Sequence, residues 1–149
     1  MSEAKFLVDQ LKTTFNGDSW HGPNLVKTLE GISLENAKTR YLDDRHTIWE
    51  LTNHITYWLE EVQKSVKDVI DLNHKGNDWP EMDSTGEWAQ SSSRIEASVN
   101  RLADELEAWT DEDLTRTVPG SNITFKQMIH GLMHHNLYHA GQINILKKA

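Results

Sequence analysis

The stretch Ile129-His130-Gly131-Leu132-Met133-His134-His135-Asn136-Leu137-Tyr138-His139-Ala140-Gly141-Gln142-Ile143 decides the fold. Together with the residues just before it, Phe125, Met128, Leu132, His135, His139 and Ile143 recur every three or four positions. That spacing places them on one stripe of an α-helix. Thr124 and Gln127 make a capping box at its start, and Ile123 can staple against Met128. Two members of this inward stripe are histidines, one helical turn apart. An imidazole buried without a partner is costly, so each of the two either finds a hydrogen bond or binds a metal.

The same helical period runs through most of the chain, and no run alternates as a strand would. A first helix from about Glu3 to Phe15 carries Ala4, Leu7, Leu11 and Phe15, and Asn16-Gly17-Asp18 breaks it. Trp20-His21-Gly22-Pro23-Asn24 reads as a loop. Short helices follow around Leu25 to Leu29 and from Ser33, and Tyr41 to His46 is a polar connection.

The second long helix starts at the capping box of Thr47 with Glu50 and buries Leu51, Ile55, Trp58, Val62, Val66 and Val69. Without a Gly or Pro before Gly76, it can run about 25 residues, or about 37 Å. Asn73 to Thr85 is a long connection, of the kind that allows a crossover between parallel helices. The third long helix, about Gly86 to Trp109, carries Trp88, Ile95, Val99, Leu102, Leu106 and Trp109. Asp111 to Leu114 reads as a single turn, and Val118-Pro119-Gly120-Ser121 as a turn. The expected fold is an all-α four-helix bundle, a single domain over residues 1–149, with short helices between the first two long ones.

Composition narrows the chemistry. With 149 residues the chain can bury one core. It has no cysteine, so disulfides, thiolate metal sites and a cysteine nucleophile are excluded. The net charge of −8 opposes binding to a nucleic-acid backbone. No signal peptide or membrane-length apolar run is visible, so a cytoplasmic protein without membrane contact is expected.

Any metal must therefore be held by nitrogen and oxygen donors. His135 and His139 supply two imidazoles, and His54, inward with Leu51, Ile55 and Trp58 on the second helix, is a plausible third. Imidazole suits zinc, nickel, iron and copper. Three protein ligands leave a position open for water or substrate, the pattern of catalytic zinc sites. The plainer reading is a set of hydrogen-bonded core histidines.

His134 lies one position off the stripe, where an exchange with His135 as ligand is conceivable, and His130 lies further round the helix. His21, His46 and His74 fall in or near loops and are expected to be solvated, with His21 and His46 able to reach a pocket mouth. Gln142 could orient substrate or a ligand, or make an interhelical hydrogen bond. Glu50 could act as base or as partner to a ligand, although its cap role already explains it. Trp49, Trp58 and Tyr138 could wall a pocket, but core packing or dimer contact is the default.

Thr47-Ile48-Trp49-Glu50-Leu51-Thr52-Asn53-His54-Ile55 resembles the second-helix signature of the DinB-like superfamily, and His135-Asn136-Leu137-Tyr138-His139-Ala140-Gly141-Gln142-Ile143 resembles its fourth-helix signature. Trp20-His21-Gly22-Pro23 and the leucine-rich short helix after it resemble one bacterial branch. The resemblance implies an up-down-down-up bundle and a divalent metal, commonly zinc or nickel, on His54, His135 and His139. It also implies a homodimer, an expectation to which the six tryptophans contribute.

Some members of that superfamily are S-transferases or isomerases that use bacillithiol, mycothiol or a similar low-molecular-weight thiol. This implies a thiol-dependent S-transferase or a hydrolase acting on a small molecule. The rival reading is a non-catalytic helical protein with a structural, regulatory or vestigial metal site. Family members often carry an arginine after the last histidine, whereas Ala140 stands here, so an anion contact from that position is absent.

Overall fold

Three of the long helices begin where a side chain answers the backbone N–H groups that no helical carbonyl can reach. The computed structural model describes residues 1–72, 77–80 and 85–149, with side chains described from residue 88 in the last of these. Its helices are α1 (Glu3–Asn16), α2 (Leu25–Leu29), α3 (Leu34–Lys38), α4 (Ile48–Asp68), α5 (Thr85–Glu107), α6 (Asp111–Thr115) and α7 (Phe125–Leu146). The class is all-α. Among the described residues there is no strand, only an isolated bridge between Thr117 and Thr124, and no helix long and apolar enough to cross a membrane.

Both capping boxes form. The Thr47 hydroxyl accepts from the Glu50 N–H at 3.1 Å while Glu50 Oε2 accepts from the Thr47 N–H at 2.7 Å. Thr124 and Gln127 do the same for α7, at 3.2 and 2.8 Å. A third box, Thr110 with Asp113, turns the expected single turn at Asp111 into the short helix α6. Thr47 is almost fully buried. Thr47→Ala therefore removes the cap with no water to replace it, and should lower stability by roughly 1–2 kcal/mol. A thermal melt checks this by a fall of a few degrees.

The stripes expected from sequence point inward. Leu51, Ile55, Val62 and Val66 of α4 are buried, as are Ile95, Val99, Leu102 and Leu106 of α5. Trp58, Val69, Trp88 and Trp109 are partly buried and pack against this core. α4 lies against α5 and α7, α1 lies against the same two helices, and α2 leans on α7.

Named contacts mark how the long helices meet. Trp49 of α4 faces Trp88 of α5 at 6.0 Å between ring centres, and Glu60 of α4 faces Arg94 of α5 at 3.9 Å. Lys12 of α1 reaches Glu107 of α5 at 2.9 Å, and the Ala4 N–H donates to Asp111 at 3.1 Å. Glu3 of α1 pairs with Lys126 of α7 at 2.9 Å.

Three helix ends differ from the expectation. α4 stops at Asp68, short of Gly76, because Val69 takes the left-handed conformation at φ 52° and ψ 46°. No glycine marks that stop. The Ser65 hydroxyl donates to the Ile70 carbonyl at 2.8 Å and secures the turn. Asp71 then lies against Gly120, which sits at φ +72° in the expected turn, and a Cβ on Gly120 would run into the Asp71 carboxylate. α5 begins at Thr85, inside the stretch expected as connection, and ends at Glu107 rather than Trp109. Trp109 instead packs its ring on Phe125 at 4.9 Å. Residues 73–76 and 81–84 of the expected connection, His74 among them, lie outside the described residues.

Candidate metal centre

α4 and α7 carry the site, because each buries a stripe that contains histidine. His54 and His139 are buried and His135 is half-buried. One ring nitrogen from each lies within 4.8 Å of the others, so the three could hold a metal ion. His54 Nε2 and His135 Nε2 are 2.9 Å apart. The His135 and His139 ring centres are 4.5 Å apart at an interplanar angle of 81°.

The opposite edges of the rings explain this convergence. His54 Nδ1 lies 2.6 Å from the Asp78 main-chain carbonyl, which can only accept, so Nδ1 carries the proton. His139 Nδ1 lies 2.6 Å from Gln142 Oε1 and donates to it in the same way. His135 Nδ1 faces Asn136 Oδ1 at 3.4 Å. Protonated Nδ1 atoms leave lone pairs on Nε2. A partner on the far nitrogen that fixes tautomer and ring orientation is what a metal-binding histidine ordinarily has.

The electrostatics favour neutral rings at His135 and His139. Burial, followed by the charge that His139 and His54 would carry, pushes His135 down to about 4. Burial also lowers His139, with His54 and His46 adding to it against the bond to Gln142.

A cleft of about 700 Å³ opens beside the cluster, and His139 and Gln142 lie on its wall. His46, Trp79, Tyr138, Leu42 and Arg45 also line it. Thus His46 does reach a pocket mouth, whereas His21 is exposed elsewhere. His134 is exposed, so no exchange with His135 arises, and the His130 and His134 rings lie tilted to each other with centres 6.2 Å apart.

Gln142 bonds within its own helix, and among the described residues it makes no interhelical bond of the kind expected as one alternative. Glu50 has both oxygens engaged, one by its cap and one by Arg40 at 2.8 Å. Burial alone would raise Glu50, but the Thr47 N–H and Arg40 hold it below the usual carboxylate value. Trp49 is fully buried in the core, whereas Tyr138 stands exposed at the cleft.

Two contributors escaped the sequence reading. Asp78 supplies the carbonyl under His54, and its carboxylate accepts the Trp58 indole N–H at 3.3 Å. Trp79 stacks flat on His54 at 3.8 Å. Both lie in the connection between the second and third long helices, where no periodicity points at a partner. A tryptophan placed in a polar loop was the only available sign.

The DinB superfamily model matches residues 19–143. No curated protein and no solved structure matches the chain. The matched span takes in α2 through nearly all of α7, including all three histidines, and the chain belongs to the DinB superfamily.

Proposed function

We propose that this chain binds a divalent metal, zinc or nickel, through His54, His135 and His139, and that it acts as a metalloenzyme on a small molecule. The thiol-dependent S-transferase or hydrolase class fits best. The observation that carries this reading is the set of Nδ1 partners, which leaves the Nε2 lone pairs facing one another beside an open cleft. Donors made only of imidazole suit these metals.

A metal held there would supply Lewis acidity, lowering the pKa of a thiol or water at the cleft side. Bacillithiol or a similar thiol is the cosubstrate this reading favours. The chain's own part is to orient and to shield. Gln142 and the Asp78 carbonyl hold two rings in one tautomer. Leu42, Tyr138 and Ile145 give the cleft an apolar rim, and Arg45 gives it a cation. An open cleft against the cluster supports an enzyme over a closed structural site.

We also propose a parallel course for α4 and α5 within one four-helix domain. Contacts that pair early with early and middle with middle between α4 and α5 support parallel helices there. The start of α1 meets the start of α6, which follows the end of α5, and also meets the start of α7, which supports an up-down-down-up bundle forming one domain over residues 1–149. A cytoplasmic homodimer without nucleic-acid or membrane partners completes the proposal. The acidic charge and the exposed Tyr138 and Ile145 support it.

The test is a conjugation assay. Metal-loaded protein should join a low-molecular-weight thiol to a reactive electrophile faster than chelator-treated protein, or else hydrolyse an ester or amide panel. Equal rates in both preparations across thiol and hydrolytic panels would sink the enzymatic reading. Gln142→Ala should weaken metal binding about 10- to 100-fold, as loss of such an orienting partner typically does. Gln142→Glu, which keeps an acceptor for His139 Nδ1, should lose much less in the same calorimetric titration.

A further inference from the structure

We infer that Trp79 is a positioning residue for the metal site, the clamp that fixes the ring plane of His54 from the side of the cleft. The inference rests on the metal reading above. The Trp79 indole lies flat on the His54 imidazole, with ring centres 3.8 Å apart and planes within 5°. Its other face carries His46, 3.5 Å away at 7°. Three rings therefore form one stack that ends on a candidate ligand.

Both ends of the stack are tied down. Beyond it, His46 Nδ1 lies 3.6 Å from Glu50 Oε2, and Glu50 is held by Arg40 and by its cap. Next to Trp79, the Asn77 side chain donates to the Trp79 carbonyl at 2.9 Å and accepts from its N–H at 3.0 Å. Asp78 takes the Trp58 indole N–H on its carboxylate and the His54 Nδ1–H on its carbonyl. The short segment 77–80 thus grips His54 twice, by an edge through Asp78 and by a face through Trp79.

His54 is the ligand that needs such a grip. It stands alone on α4, whereas His135 and His139 brace each other one turn apart on α7. A hydrogen bond at Nδ1 permits rotation about the N–O line, and a flat stack removes that freedom. The rings of His135 and His139 then meet His54 at 56° and 89°, each 4.9 Å away, on the side left open. A site held to within fractions of an ångström requires supporting groups of this kind.

The test compares Trp79→Phe, Trp79→Leu and Trp79→Ala by zinc titration calorimetry, with circular dichroism checking helix content. If the flat stack positions His54, Trp79→Leu and Trp79→Ala should bind zinc about 10- to 100-fold more weakly than wild type. Trp79→Phe, which keeps a flat ring, should recover most of that loss. A plain packing role would instead let the apolar leucine serve as well as phenylalanine, and that result overturns the inference. Wild-type affinity in all three variants overturns it too, with the metal reading intact. Wild-type protein that binds no zinc overturns both. If Trp79→Ala fails to fold, the phenylalanine and leucine pair decides.

Discussion

His139→Ala is expected to weaken zinc binding by more than the roughly 10- to 100-fold that follows loss of an outer partner. The variant deletes one of the three nitrogen donors that cluster among the described residues, and no cysteine exists to replace it. His134 is exposed, and His130 pairs with it away from the cluster, so neither offers a substitute. The fold should survive. His139 lies beside the cleft, and the apolar members of the α7 stripe, Phe125, Met128, Leu132 and Ile143, stay buried. Gln142 Oε1 loses its donor, but Gln142 itself lines the cleft and can turn to water. Titration calorimetry with a parallel melt checks both halves. Full affinity in the variant would remove His139 from the ligand set, and a collapsed melt would make its role structural.

Trp49→Ala should produce the largest loss of stability. The Trp49 ring is fully buried at the start of α4, with the Lys38 ammonium 5.2 Å from its ring centre and Trp88 packed at a tilt. Truncation leaves a cavity between α4 and α5, and such changes cost about 3–5 kcal/mol. That is a large share of the roughly 5–15 kcal/mol by which a domain is stable. Trp49→Phe should be far milder. The Trp49 indole N–H has no hydrogen-bond partner among the described residues, so phenylalanine gives up no hydrogen bond. Chemical denaturation of the two variants checks the contrast. A similar cost for both would mean that the N–H is satisfied after all.

How much of this was legible depends on whether the relevant contact is local. Thr47 with Glu50 and Thr124 with Gln127 are local, three residues apart, and both boxes form where sequence places them. The inward histidines on the α4 and α7 stripes were legible for the same reason, since helical period fixes a face. What sequence misses is set by the path of the chain. Nothing near Val69 marks a stop, yet it takes a left-handed conformation that glycine usually supplies, and α4 ends early.

Asp78 and Trp79 show the same limit in the site itself. They reach His54 across 24 and 25 positions, from a segment without a period. Gln142 was a candidate from its spacing, and its bond to His139 is local to α7. His46 is exposed, as expected, and its place in the stack comes from Trp79 packing on it.

X-ray absorption at the zinc edge, on protein loaded with one equivalent, tests the central claim most directly. The expected first shell contains three imidazole nitrogens at about 2.0–2.1 Å, with one or more water oxygens completing it. Chelation by His54→Ala/His135→Ala/His139→Ala protein under the same loading should leave no bound zinc after desalting. A first shell made only of oxygen, or the same spectrum from the triple variant, would contradict the assignment of the metal to these three histidines.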